Sequence, residues 1–298
     1  MMSRIEWAMA VLIGGILIRS AAAEPAAGAL LHLHTREAES YRMFLDKEQT
    51  RPLELRTKPI FSWTNQASQK QQHGHLFVWT AEGRPEAIGT IFSIAADQPG
   101  RRALIHEFHT LSPRRLYPVT PTNSQYKWAP EAGIVLSSCE EAPAPAETAS
   151  ARLTQMRQLA RRFSAESRNG EGQVWELRLL PTPLFQYQPE KGPIRQGALF
   201  AMVSSAGTDP EAILLIELRT MPDVGGGSPW QAAALRFSDR DLIVRYNDKP
   251  LWSSLDDPQR KVEIKNNYTL LQTPDKTYTC YRARTIDELP DEKPADRP

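Results

Sequence analysis

The sequence predicts an α+β fold, predominantly antiparallel β, with two related sheet-rich lobes and an N-terminal amphipathic helix packed on the second lobe's sheet. Three observations carry this. Short runs rich in β-branched, aromatic and aliphatic residues alternate with polar turns. A Pro/Ala/Glu stretch divides the chain. No strand–helix–strand alternation is present, which excludes Rossmann and TIM-barrel architectures.

Residues 1–23 read as a secretory signal peptide. Arg4 gives the positive start, Ala8–Ile18 the apolar run, and Ala21-Ala22-Ala23 the small residues before cleavage at Glu24. Arg19 closes the apolar run short of the about 20 residues a membrane span needs. No later stretch is long enough, so the mature protein is expected to be soluble, without a membrane span, and secreted or periplasmic. The lack of a cysteine near Glu24 excludes a lipid anchor.

Residues 24–139 form the first lobe. Ala38–Asp46 fits a helix by Ala38, Tyr41 and Leu45 but a strand by the alternating Tyr41, Met43 and Leu45, and the strand is the preferred reading. His75–Thr80 and Glu86–Ala95 make a hairpin around Glu82–Pro85. Residues 140–150 (EEAPAPAETAS) read as an extended linker.

Residues 151–286 form the second lobe. A helix over Arg152–Ser167 places Leu153, Met156, Ala160 and Phe163 on one face, with Asn169-Gly170 as its stop. Strands follow at Gln173–Leu180, Ala198–Ser204, Ala212–Thr220, Gln231–Phe237 and Asp241–Tyr246. The turns Ala206–Asp209 and Ser238–Arg240 predict hairpins between neighbours. Val224–Ser228 reads as a flexible loop and residues 287–298 as a disordered tail.

The halves resemble each other. Glu54–Arg56 recurs as Glu176–Arg178, Pro59–Trp63 as Pro183–Tyr187, Gly74–Phe77 as Gly197–Phe200, and Pro85–Ile88 as Pro210–Ile213. The order is kept while the offset drifts by three residues, from 122 to 125. Small loop insertions after a tandem duplication produce that pattern.

Charge and motifs narrow the function. The chain has 36 Lys+Arg and 35 Asp+Glu; removing residues 1–23 takes away Arg4, Arg19 and Glu6 and leaves a formal charge of zero. That excludes the basic field nucleic-acid binding requires. No G-x-S-x-G elbow, Walker A loop or G-x-G-x-x-G is present, so no catalytic or cofactor-binding residue is assigned and no cofactor is expected.

Six histidines fall in close pairs: His32/His34, His73/His75 and His106/His109. His73, His75 and His106 are weak metal candidates, since His73 and His75 share a strand face. His106-Glu107-Phe108-His109 is one residue short of a zinc-protease motif. It reads as a strand, where the two histidines face opposite ways. His32-x-His34 lies just after the cleavage point, where chains are commonly mobile.

Cys139 and Cys280 form a possible disulfide if the chain is exported. Glu211 and Glu217 share a strand face and read as ion-pair partners, Glu217 with a cross-strand arginine such as Arg178. Trp79 and Trp175 lie within strands and read as core aromatics, the alternative being a ligand-binding face or carbohydrate stacking.

The strings Leu153–Phe163, 175–187 (WELRLLPTPLFQY), 197–203 (GALFAMV) and 207–217 (GTDPEAILLIE) resemble a family of secreted proteins abundant in planctomycete-type bacteria. So do 59–65 (PIFSWTN), 79–85 (WTAEGRP) and 106–112 (HEFHTLS) in the first half. The resemblance covers most of residues 38–255. It implies an exported protein and transfers no catalytic residue. The expected function is a non-enzymatic module binding a protein partner or apolar ligand in the cell envelope or outside the cell. The alternative is an extracytoplasmic hydrolase using clustered histidines or carboxylates.

Overall fold

Two antiparallel sheets build the protein, and side-chain alternation along their central strands stacks them. The computed structural model describes residues 24–65, 72–96, 98, 100–119, 128–205, 207–220, 229–254, 261–265, 268–273 and 276–287. The expected leader, the Val224–Ser228 loop and residues 288–298 of the expected tail lie outside these.

In chain order α1 (Glu24–Glu39), β1 (Glu54–Leu55), β2 (Phe61–Asn65), β3 (Gln72–Ala81), β4 (Arg84–Ala95), β5 (Arg101–Thr110) and β6 (Ser137–Ser138) come first. Then follow α2 (Ala149–Ala160), β7 (Phe163–Arg168), β8 (Val174–Leu179), β9 (Phe185–Tyr187), β10 (Ile194–Val203) and β11 (Pro210–Arg219). β12 (Trp230–Arg236), β13 (Asp241–Tyr246), β14 (Lys249–Ser253), β15 (Lys261–Lys265), β16 (Tyr268–Gln272) and β17 (Tyr278–Asp287) complete the described chain. The first sheet has the order β1-β3-β4-β5-β17-β16-β15 with β2 beside β3; the second has β14-β13-β7-β8-β10-β11-β12-β6 with β9 beside β10. The fold is therefore α+β and mainly antiparallel β. Among the described residues no helix is long and apolar enough to cross a membrane.

Along β3, Phe77 and Trp79 enter one core while Leu76 and Val78 enter another. Along β10, Ala198, Phe200 and Met202 alternate likewise with Leu199 and Ala201. Leu76, Val78, Ile88, Leu199, Ala201 and Ile213 share the core between the sheets. The outer face of the first sheet is covered by α1, that of the second by α2. Four layers result: helix, sheet, sheet, helix. Strands buried on two faces explain the continuous apolar runs of β10 and β11.

The halves correspond register for register. Phe61 faces Leu76 and Trp63 faces Gly74, as Phe185 faces Leu199 and Tyr187 faces Gly197. Val78 faces Ile88 and Trp79 faces Ala87, as Ala201 faces Ile213 and Met202 faces Ala212. A bulge follows at the same place in each pair, before Thr80–Pro85 and Val203–Pro210. Backbone bonds outside the ladders repeat too: Ile60 N to Leu76 O and Leu184 N to Leu199 O are each 2.8 Å.

Several expectations are corrected. The helix expected over Arg152–Ser167 runs from Ala149 to Ala160, its N-cap Thr148 accepting from Ala151 N. Phe163–Arg168 is β7 instead, because Phe163, Ala165 and Ser167 alternate inward and the strand pairs with β13 and β8. Asn169-Gly170 is the turn between β7 and β8, where the Asn169 side chain accepts from Glu171 N and Gln173 N.

Ala38–Asp46 is not a strand. α1 continues to Glu39, since Leu30, His34 and Ala38 at i, i+4 and i+8 form one buried stripe; Arg42 and Phe44 make only isolated bridges. The Ser238–Arg240 turn joins no hairpin. Arg236 donates to the carbonyls of Ser238 and Arg240 and turns the corner from β12 to β13, which sit far apart in the strand order.

The boundaries at 139 and 286 do not separate the sheets. β17 pairs with β5 and carries β16 and β15 into the first sheet, while β6 pairs with β12 in the second. Residues 140–150 do not run free between independent lobes. Trp230 Nε1 donates to Pro143 O at 2.9 Å, Arg152 to Glu147 O at 2.6 Å and Gln155 to Ala144 O at 2.7 Å. Long side chains thus satisfy carbonyls that an extended Pro/Ala segment leaves without partners.

Candidate functional site

Past the shared core, the inner face of β4, β5 and β17 meets the β10–β11 hairpin end and the β12–β13 corner around a cavity of about 480 Å³. One wall is apolar: Trp63, Phe92, Ile94 and Ile105. Trp63 lies across Gly74, whose absent Cβ makes room for the ring, and meets Phe92 at 5.4 Å between ring centroids. Three carboxyls also line the cavity: Glu107, beside Ile105 on β5, and Asp209 and Asp239, from the β10–β11 hairpin end and the β12–β13 corner.

Strand alternation positions the key carboxyl. On β5, His106 and Phe108 point outward beneath α1, so Glu107 points into the cavity. Its Oε1 accepts from Tyr278 OH at 2.6 Å. Burial pushes the Glu107 carboxyl up to about 8; Asp239 and Asp209 add to the rise, and Tyr278 and Arg236 oppose it. Burial also raises Asp209, with Glu211 and Asp239 contributing. The guanidiniums on the rim are engaged. Arg240 pairs with Glu211 at 3.0 Å and lies 4.2 Å over the Trp175 ring; Arg282 donates to Thr285 at 2.9 Å.

The opposite end of the seam is filled from within. There the β3–β4 turn meets the segment before β10 around a hollow of about 210 Å³. Arg84 donates to Glu217 at 2.8 Å and contacts Glu86 at 2.9 Å. Tyr187 OH and Arg219 also donate to Glu217, each at 2.7 Å. Glu217 thus pairs with arginines, as expected, but its main partner crosses from the other sheet rather than being Arg178. The coulombic pull of Glu217 and Glu86 outweighs burial and raises the Arg84 pKa.

The histidines form a separate layer. His73 and His75 lie on the outer face of β3, His106 on that of β5, and His34 descends from α1 onto them. His34 Nδ1 and His75 Nδ1 are 2.8 Å apart, so one donates and the other accepts. His106 Nδ1 bonds the Tyr41 hydroxyl, which also bonds Tyr281, and its Nε2 lies 3.4 Å from Glu37. Burial lowers His34 and takes His75 down to about 4, aided by His73. Glu37, despite burial, is held at about 2 by His106 and Arg284.

Among the described residues no three His, Cys, Asp or Glu side chains are grouped to hold a metal ion. His73, His75 and His106 share a face, but His75 is spent on His34 and His106 on Tyr41. The expectation of mobility around His34 is overturned by its full burial.

Cys139 and Cys280 do not pair. Cys139 lies in the core beneath α2, Cys280 lines the cavity on β17, and both thiols are free. Trp79 is core, as expected, while Trp175 carries the Arg240 guanidinium.

Sequence reasoning missed Glu107, Asp209 and Asp239. The signal for Glu107 was present: it alternates with outward-facing His106 and Phe108 in a strand buried on both faces. Asp209 and Asp239 sit in turns, where acidic residues are ordinary. Comparison with known protein families, curated proteins and solved structures finds no match to the chain.

Proposed function

We propose that this is an exported, non-enzymatic binding protein whose ligand seat is the cavity between the sheets. The carrying observation is a cavity of about 480 Å³ lined by aromatic and aliphatic side chains together with three carboxyls, a volume suited to a small organic molecule. Its neutral mature charge and lack of a nucleophile motif support small-molecule binding over nucleic-acid binding or covalent catalysis. The leader-like residues 1–23 and the resemblance to planctomycete-type secreted proteins support export, with cleavage before Glu24. The matched registers support descent of both halves from one duplicated module.

A neutral fluorescent probe, N-phenyl-1-naphthylamine, tests the seat. It is expected to bind saturably at one site per chain, with Ala103→Phe and the rim variant Gln72→Trp each weakening it at least tenfold while far-UV circular dichroism stays unchanged. Unsaturable binding, or binding indifferent to both variants, would overturn the reading.

One observation favours the alternative of a hydrolase. A buried carboxyl with its pKa near 8 holds a proton at neutral pH and faces two further carboxyls, as general-acid chemistry requires. Turnover of a chromogenic ester or glycoside, abolished by Glu107→Gln, would establish it.

A further inference from the structure

The two ends of the seam are equivalent in register but opposite in content. At the closed end the row is Tyr187, Gly197 and Glu217; at the open end it is Trp63, Gly74 and Phe92. Before the hairpin prolines Pro85 and Pro210 stand Arg84 at the closed end and Asp209 at the open end. The closed end is filled by the chain's own guanidinium, which reaches across the seam to Glu217 of the other sheet. The open end has a short carboxylate where that long cation would start, and Glu107 reaches in from β5. The ends therefore differ in both members of the pair: Asp209 stands in the place of Arg84 and Phe92 in the place of Glu217, so the open end keeps carboxyls and aromatic rings but has no guanidinium of its own in the place of the Arg84–Glu217 bridge.

We propose that the open cavity takes an organic cation, an ammonium or guanidinium on an apolar body, seated where the counterpart of the Arg84 guanidinium would lie. This rests on the reading of the cavity as the ligand seat. The apolar body packs on Trp63, Phe92 and Ile105; the cationic head meets Glu107, Asp209 and Asp239. The faces of Trp63 and Phe92 favour a cation as well as an alkyl chain. The rim arginines do not compete, because Arg240 is held by Glu211 and Trp175 and Arg282 by Thr285. Among the described lining residues an anionic ligand would face three carboxyls, with the guanidiniums of Arg240 and Arg282 already engaged. A cation arriving beside Glu107 favours its ionised form, so binding releases a proton.

Calorimetric titration of the full chain with octylammonium, octan-1-ol and octanoate at pH 7.5 tests this. Octylammonium is expected to bind at least tenfold tighter than octan-1-ol, and octanoate weakest. Asp209→Asn and, at the exposed rim, Asp239→Asn should each cut the octylammonium preference several-fold and leave octan-1-ol unchanged. Proton release, read from titrations in buffers of different ionisation enthalpy, should vanish in Glu107→Gln. Octan-1-ol or octanoate binding as tightly as octylammonium, with N-phenyl-1-naphthylamine still seated, overturns the cation and leaves the seat standing. Failure of all three probes and of the dye overturns both. An ammonium preference unchanged by all three variants places the cation elsewhere and overturns the proposal.

Discussion

Between α1 and the outer face of the first sheet lie His34, Glu37 and Tyr41 from the helix side and His75, His106 and Tyr281 from the strands, among apolar residues, while between α2 and the outer face of the second lie Met156 and Leu159 from the helix and Phe200, Met202, Leu214 and their apolar neighbours from the strands. The central strands below, β1-β3-β4-β5 and β8-β10-β11-β12, match in order, and β3–β4 and β10–β11 match in register; each sheet holds one helix. What differs is how each helix is held: α2 by apolar contact and an arginine–glutamine link (Arg152 to Gln196, and Gln196 to Ala149 O), α1 partly by hydrogen bonds among histidines, tyrosines and a carboxylate. The seam repeats the lesson, one end bridged by ions and the other left as a cavity lined by aromatic rings and carboxyls. A frame of backbone pairings tolerates opposite fillings, because a sheet face asks only for volume and satisfied polar groups.

The largest effect should come from breaking the ion-filled end. Glu217 is fully buried and bonds Arg84, Arg219 and Tyr187. Glu217→Ala leaves the buried Arg84 guanidinium without its main partner, at about 3–5 kcal/mol. Urea denaturation should show it as a fall in midpoint with little change in slope. Replacing Arg84 and Glu217 together by Met and Leu should recover most of the loss. A double variant as unstable as the single one would show that shape, not charge, holds that end.

Acid should distinguish the two helices next. His75 has its pKa lowered to about 4, and those of His34 and His106 are lowered as well. In the unfolded chain each protonates near pH 6.5. Between those values the unfolded state binds more protons, so stability is full above about pH 6.5 and falls as pH drops toward 4. His75 alone accounts for roughly 3 kcal/mol over that window. The groups facing these rings are His73 on β3, Arg102 on β5, Arg284 and Tyr281 on β17, and Glu37 and Tyr41 from the helix side. Glu37, at about 2, stabilises above the unfolded value near 4.5 and loses that contribution only as pH falls toward 2. Hydrogen exchange at pH 5 should therefore open α1 amides while α2 stays protected, and His34→Leu with His75→Leu should flatten the pH slope. Equal opening of both helices would remove the distinction drawn between the faces.

Much of the frame was legible in the sequence. Three of the four recurring strings sit at equivalent registers because strand content and turn chemistry are local properties, and the Glu82-Gly83 turn has the positive φ at both positions that tight hairpins require. The match of Glu54–Arg56 to Glu176–Arg178 is out by two residues: Glu54 faces Thr80, whereas Val203, the counterpart of Thr80, faces Arg178. The partners of β17 and β6 were not legible, since which sheet a late strand joins is decided by distant edges. β7 was hidden because Phe163 fits a helical stripe as well as a strand face. α1 was hidden because its buried stripe uses His34, a residue composition reads as polar. The cavity was hidden because Glu107, Asp209, Asp239 and Trp63 come from four separate segments. The exchange of Arg84 for Asp209 acquires meaning only once their two hairpins lie at opposite ends of one seam.

The equivalence itself can be tested where backbone and ring meet. A Cβ built on Gly74 would lie 2.2 Å from the Trp63 ring, and one on Gly197 would lie 2.2 Å from the Tyr187 ring. Neither distance is tolerable, so Gly74→Ala and Gly197→Ala must each displace an aromatic side chain, at about 1–3 kcal/mol. Cutting the ring back should remove the conflict. On a Trp63→Ala or Tyr187→Ala background the matching glycine substitution should cost less than about 0.5 kcal/mol, leaving a large coupling term in each double-mutant cycle. The two cycles should agree in sign and approximate size, although one ring borders the open cavity and the other the ion pair. If Gly74→Ala were harmless and Gly197→Ala were not, the open end would be shown to have slack its counterpart lacks. The two rows would then share a register without sharing a physical role.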